Sequence, residues 1–89
     1  MYPQRESPFV FPCSFPIKAM GHAAEDFDVL VVGIVRKHVR DLSETAVTTR
    51  RSRGGRYLAV TVTVEAESQA QLDAIYHELS RHRRVVLVL

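Results

Sequence analysis

The chain has 89 residues, 46% of them apolar, a formal net charge of +2 and one cysteine. That length bounds it to one domain with a modest core, and the apolar share argues against wholesale disorder. Cys13 alone cannot staple the fold, no apolar run approaches a membrane span, and the N-terminus lacks a charged-then-apolar signal pattern, so a cytoplasmic protein with no membrane attachment is expected.

Residues 1–8 carry two prolines and read as a flexible lead-in to a single domain at 9–89. Phe11, Cys13, Phe15, Ile17 and Ala19 then alternate with Pro12, Ser14, Pro16, Lys18 and Met20, which predicts a first strand. Pro12 and Pro16 limit ladder bonding, so regular pairing is expected at 17–20 and patchy pairing before it. Gly21 ends the strand. Across 23–39, Phe27, Leu30, Val31, Ile34, Val35 and His38 recur at helical spacing, with Val29, Val32 and Gly33 off the stripe. Glu25, Asp26 and Asp28 sit near the positive end of that helix and Arg36, Lys37 and Arg40 near its negative end; His38 would likewise serve the dipole. Residues 41–44 read as a polar connection and 45–51 as a short strand.

Gly54 and Gly55 mark a hairpin turn into the strongest strand signal, at 56–66. There Leu58, Val60, Val62 and Val64 alternate with Tyr57, Ala59, Thr61 and Thr63. Ser68 is placed to cap a second helix carrying Leu72, Ile75, Tyr76 and Leu79 on one face. A basic connector at 81–84 leads to a last strand, VVLVL, apolar on both faces. The order β-α-β-β-α-β with right-handed crossovers predicts an α+β, ferredoxin-like fold. Its four-stranded antiparallel sheet has order 4-1-3-2, with both helices on one face. Phe27, Leu30, Ile34, Leu58, Val60, Val62, Leu72, Ile75 and Leu79 are the expected core.

FPCSF at 11–15, IKAMG at 17–21, the hairpin RSRGGRYLAVTVTVEA, the helix QLDAIYHEL and the ending VVLVL together resemble the YbeD family of small bacterial proteins of unassigned activity. The resemblance runs from about Phe11 to Leu89. It implies a fold like that of ACT regulatory domains, which bind amino acids at subunit interfaces, and it supplies no catalytic residues.

In this topology three connections reach one end of the sheet. They carry Gly21 and His22; Arg51, Arg53 and Arg56; and Arg81, His82, Arg83 and Arg84. Helix N-termini and arginine forks suit anions, so Lys18, Gly21, His22, Arg53, Arg56, Arg83 and Arg84 form a candidate site for a small anionic or amino-acid-like ligand. Glu25 and Asp26 compete for the same donors, and loops are polar in any protein; at this level the balance leans to solvated basic loops. Lys18 has the parity of the helix-free face, near Tyr57, where it either contacts a ligand or simply discourages stacking on that face.

The four histidines lack metal-ligand spacing, Cys13 has no neighbouring base, and neither Ser14 nor Ser52 stands in a nucleophile elbow. No cofactor, metal or catalysis is therefore expected, although a small enzyme with a site shared between subunits remains a second alternative to a binding or regulatory module. The first alternative is a nucleic-acid-binding module. RNA-recognition domains share this element order and stack bases on strand aromatics. Tyr57, followed by Ala59, Thr61 and Thr63, is a poor stacking platform by itself, while the arginines could grip a phosphate backbone.

The last strand must place aliphatic residues on the open face, either Val86 and Val88 or Val85, Leu87 and Leu89. A homodimer through that face is expected, or else an N-terminal segment that folds back and lays Phe9 or Phe11 over it.

Overall fold

A computed structural model describes residues 10–89. The lead-in expected at 1–8, and Phe9, lie outside the described residues. The elements run β1 (Cys13–His22), α1 (Phe27–Arg36), a 3-10 turn (Glu44–Ala46), β2 (Val47–Arg51), β3 (Tyr57–Ala66), α2 (Gln69–Arg81) and β4 (Val85–Val88). All pairings are antiparallel, and the sheet order β2-β3-β1-β4 is the expected 4-1-3-2. Both helices cover one face.

The pleat decides what is buried. Ile17 and Ala19 of β1 and Leu58, Val60, Val62, Val64 and Ala66 of β3 point toward the helices. Against them pack Phe27, Val31, Ile34 and Val35 of α1 and Leu72, Ile75, Tyr76 and Leu79 of α2. Each fully buried large aliphatic or aromatic chain here contributes roughly 1.5–3 kcal/mol over its exposed state. Of the expected core only Leu30 is less than fully buried, and it still packs against the cluster. Ser68 caps α2, its Oγ accepting from Gln71 N at 3.1 Å.

Five local expectations are corrected. The β1–β3 ladder is continuous from Cys13↔Ala66 to His22↔Tyr57, with no patchy stretch. Lys18 N donates to Leu89 O at 3.1 Å, so even-numbered β1 residues turn their N–H toward the β4 side. Pro16, two residues earlier, therefore lacks a donor only on that side, beyond the residues β4 supplies, and costs the ladder with β3 nothing.

The first helix is shorter than 23–39. Ala23 N donates to Arg56 O at 2.9 Å and so still belongs to the sheet exit. At the other end, Lys37 and His38 close tight turns onto Ile34 and Val35. The connection read as polar also buries Leu42, while Val39 just before it is buried too.

On β4 neither parity set holds. The register shifts between Met20 and Gly21, from Met20↔Leu87 to Gly21↔Val85, leaving Val86 as an extra residue. The bulge turns both Val85 and Val88 inward and leaves Val86, Leu87 and Leu89 exposed. Phe11, meanwhile, packs against the helix-side core and not over the open face.

Gly21 sits where β1, α1 and β4 meet. A Cβ there would collide with the Arg84 carbonyl and come within 2.6 Å of the Phe27 ring. Backbone on one side and a fully buried ring on the other leave no room to yield. Gly21→Ala is expected to destabilise the fold by about 2–3 kcal/mol, read as a lower urea midpoint with unchanged slope. Ala substitution at Gly54, where a Cβ meets nothing within 4 Å, is the matched control with little effect.

Candidate functional site

The same pleat that buries the β3 valines sends its other residues to the helix-free face. Lys18 pairs with Thr61, Met20 with Ala59 and His22 with Tyr57 across β1 and β3. From β2, Thr48 stands opposite Thr61 and Arg50 opposite Ala59. Ala59 is thus a low floor between Met20 and Arg50. Above it lies a recess of ≈ 440 Å³ bounded by Lys18, Arg50, Arg53 and Tyr57. A second recess shares Lys18, Arg50 and Ala59 and continues to Thr48 and Thr61.

The hairpin turn positions the upper wall. Ser52 N donates to Tyr57 O at 2.9 Å, Tyr57 N donates back to Ser52 Oγ at 3.0 Å, and Gly55 takes φ 77°, a conformation that favours glycine. Tyr57 in turn meets His22, their ring centroids 5.0 Å apart and the planes tilted by 32°. His22 also lines a third recess with Ala24, Arg83 and Arg84.

The expected site residues therefore fall into two groups that meet at the His22–Tyr57 pair. Lys18 and Arg53 lie on the Tyr57 side. Arg83 and Arg84 lie on the His22 side. Arg56 is exposed on the hairpin turn, its carbonyl bonded to Ala23 N, and Gly21 is buried under Phe27. Arg50 was absent from the expected set; counting back four residues per side from the Gly54–Gly55 turn would have placed it beside Ala59.

These cations differ in their partners. Arg84 holds Asp26 with both guanidinium arms, at 3.1 and 2.8 Å. That bond keeps the Asp26 carboxyl below its usual range and raises Arg84 further. Asp26, at the N-cap position of α1, makes no side-chain cap bond. On the helix layer, Lys37 and His38 both grip Glu78 of α2, the latter at 2.9 Å, and Gln71 Nε2 donates to His38 O at 2.8 Å. His38 thus ties the turn after α1 to α2 rather than merely serving a dipole. Among the described residues Lys18, Arg50, Arg53, Arg56 and Arg83 make no ion pair.

The family model described as "Protein of unknown function (DUF493)" matches residues 6–89. The chain belongs to this family. A relative in Chromobacterium violaceum, named UPF0250 protein, is 45% identical over the full length of both chains. Another UPF0250 protein, in Paraburkholderia phytofirmans, is 46% identical and covers 94% of each. A third, in Nitrosomonas europaea, is 40% identical over 94% of this chain and 97% of the relative. These names correct the resemblance to the YbeD family read from the sequence: relatives at such identity and coverage are UPF0250 proteins. The solution structure of protein HP0495 from H. pylori matches with a TM-score of 0.75, covering 100% of this chain and 94% of that one. Its identity is 14%, so the likeness concerns the fold alone. Among the described residues no helix is long and apolar enough to cross a membrane.

Glu78 is held below its usual range chiefly by its bonds to Lys37 and His38, as Asp26 is by Arg84. A depressed carboxylate contributes stability that is full above its unfolded pKa and is lost as pH falls through the folded one. Urea midpoints should therefore drop gently as pH falls below about 4, and the Asp26→Asn/Glu78→Gln double variant should flatten that drop. Both pairs are exposed, so the effect is small and fades with added salt.

Proposed function

We propose that this protein is a cytoplasmic ligand-binding module, without catalysis of its own, that takes a phosphate or carboxylate group on the open face of its sheet. The observation that carries this reading is Lys18. It stands on an inner strand beside Arg50 and Arg53 over the small floor of Ala59, and makes no ion pair among the described residues. Arg84 and Lys37, by contrast, already have carboxylate partners. Guanidinium forks and an ammonium around one recess match the geometry of an oxyanion. A chain with one cysteine folds on its core alone, which suits a reducing compartment.

Inorganic phosphate titrated into labelled protein should shift the amides of Lys18, Arg50 and Ala59 together. Lys18→Gln should weaken that binding by roughly tenfold. Shifts scattered over the helix layer, or none, would remove this reading.

A homodimer through β4 is favoured by its exposed Val86, Leu87 and Leu89 on an edge strand of four residues. Light scattering across a wide concentration range should show a dimer that Leu87→Lys returns to monomer.

A further inference from the structure

We propose that the ligand of the open face is single-stranded nucleic acid, its phosphates held by Lys18, Arg50 and Arg53 and an unpaired base stacked on the His22–Tyr57 pair; this rests on the anion-binding reading above. The ring pair is the feature that a simple anion site does not need. His22 and Tyr57 are direct cross-strand partners, and their rings lie 5.0 Å apart. Tyr57 bounds the recess that holds Lys18, Arg50 and Arg53, while His22 bounds the recess that holds Arg83. Each ring is therefore a wall of a different basic recess. A strand crossing from one recess to the other passes the rings midway and meets cations on both sides.

The rest of the face fits the same ligand. Ala59 and Thr61 keep the floor low along the second recess, which continues the track past Arg50 toward Thr48. Glu65 is the only acidic side chain that the pleat of β1, β2 and β3 sends to this face. It stands six residues along β3 from Ala59, about 20 Å at the rise of a strand. Asp26, near the His22 recess, is already neutralised by Arg84. Stacking requires a base whose face is free, which a duplex does not present. Rings plus a cationic groove describe a sequence-tolerant single-strand binder. The expectation from sequence counted Tyr57 alone; the cross-strand register supplies the second ring.

The test uses fluorescence anisotropy of labelled oligouridylate and oligothymidylate of about ten nucleotides, with the full chain. Three phosphate contacts on a single strand give a log–log salt slope near −2, so affinity should fall roughly 20-fold between about 50 and about 200 mM salt. Tyr57→Ala and His22→Ala should each weaken binding by about tenfold, whereas Tyr57→Phe should retain it. All variants are checked for native far-UV circular dichroism. Should an Ala variant unfold, quenching of tyrosine fluorescence on binding to the native protein reads the stack directly. Oligonucleotide binding that is indifferent to the ring substitutions and leaves tyrosine fluorescence unchanged would overturn the proposal. No binding at low salt, with phosphate still shifting Lys18 and Arg50, would overturn it while leaving the anion site standing. Silence from both ligands would remove both. Preference for the ribose or the deoxyribose strand would assign the source.

Discussion

The register between β1 and β3 is the constraint on which the rest depends. Ten successive pairs, from Cys13↔Ala66 to His22↔Tyr57, place Ile17 against Val62 and Ala19 against Val60 under the helices. The same pairing places Lys18 against Thr61 and His22 against Tyr57 on the other side. Side chains alternate with a period of two, so a slip by one residue would drive Lys18 into the core and Val62 into water. Burial of the valines therefore fixes the geometry of the open face, although no residue on that face contributes much to the core.

Gly21 is the second fixed point. Phe27 is fully buried because its ring lies over a backbone with no side chain, and the β4 backbone at Arg84 closes the same gap. Here the register of β1 with β4 shifts and the β4 bulge begins. One glycine thus ties the start of α1 to the edge strand. The Arg84–Asp26 pair spans that junction at the surface. Its energy is that of an exposed pair, so the junction is held by packing, and the charges mainly decide which arginine is left free.

The architecture was legible in the sequence because its signals are periodic. The alternation of Leu58 to Val64 and the helical stripe from Phe27 to Val35 each concern one element and need no knowledge of its neighbours. What escaped depended on two elements at once. Pro16 looked disruptive until the direction of its missing donor was known, which depends on where β4 ends. The inward turn of both Val85 and Val88 follows from a bulge that no pattern in VVLVL reveals. Arg84 seemed as available as Arg83, and only the packing of β4 against the start of α1 brings it to Asp26. His22 and Tyr57 are 35 positions apart in sequence, and their contact is a product of register. For the same reason the candidate site was half legible: its charges could be counted, but their partners could not.

The distribution of partners also bears on why these basic residues are where they are. A lysine in the middle of an inner strand that makes no ion pair among the described residues contributes little to folding, and a β-branched residue would suit the pleat better there. Protection of an edge does not explain Lys18, since β1 is flanked by β3 and β4. Arg50 does lie on the edge strand β2, and there the protective account is adequate by itself. A solvated-loop account covers Arg53, Arg56 and Arg83, which sit on connections. It does not cover Lys18, which the most regular ladder in the molecule carries to the wall of the recess that Arg50 and Arg53 also line. A sheet position holds a side chain more firmly than a loop does. A charge spent there without structural return is best understood through what it meets from outside the chain.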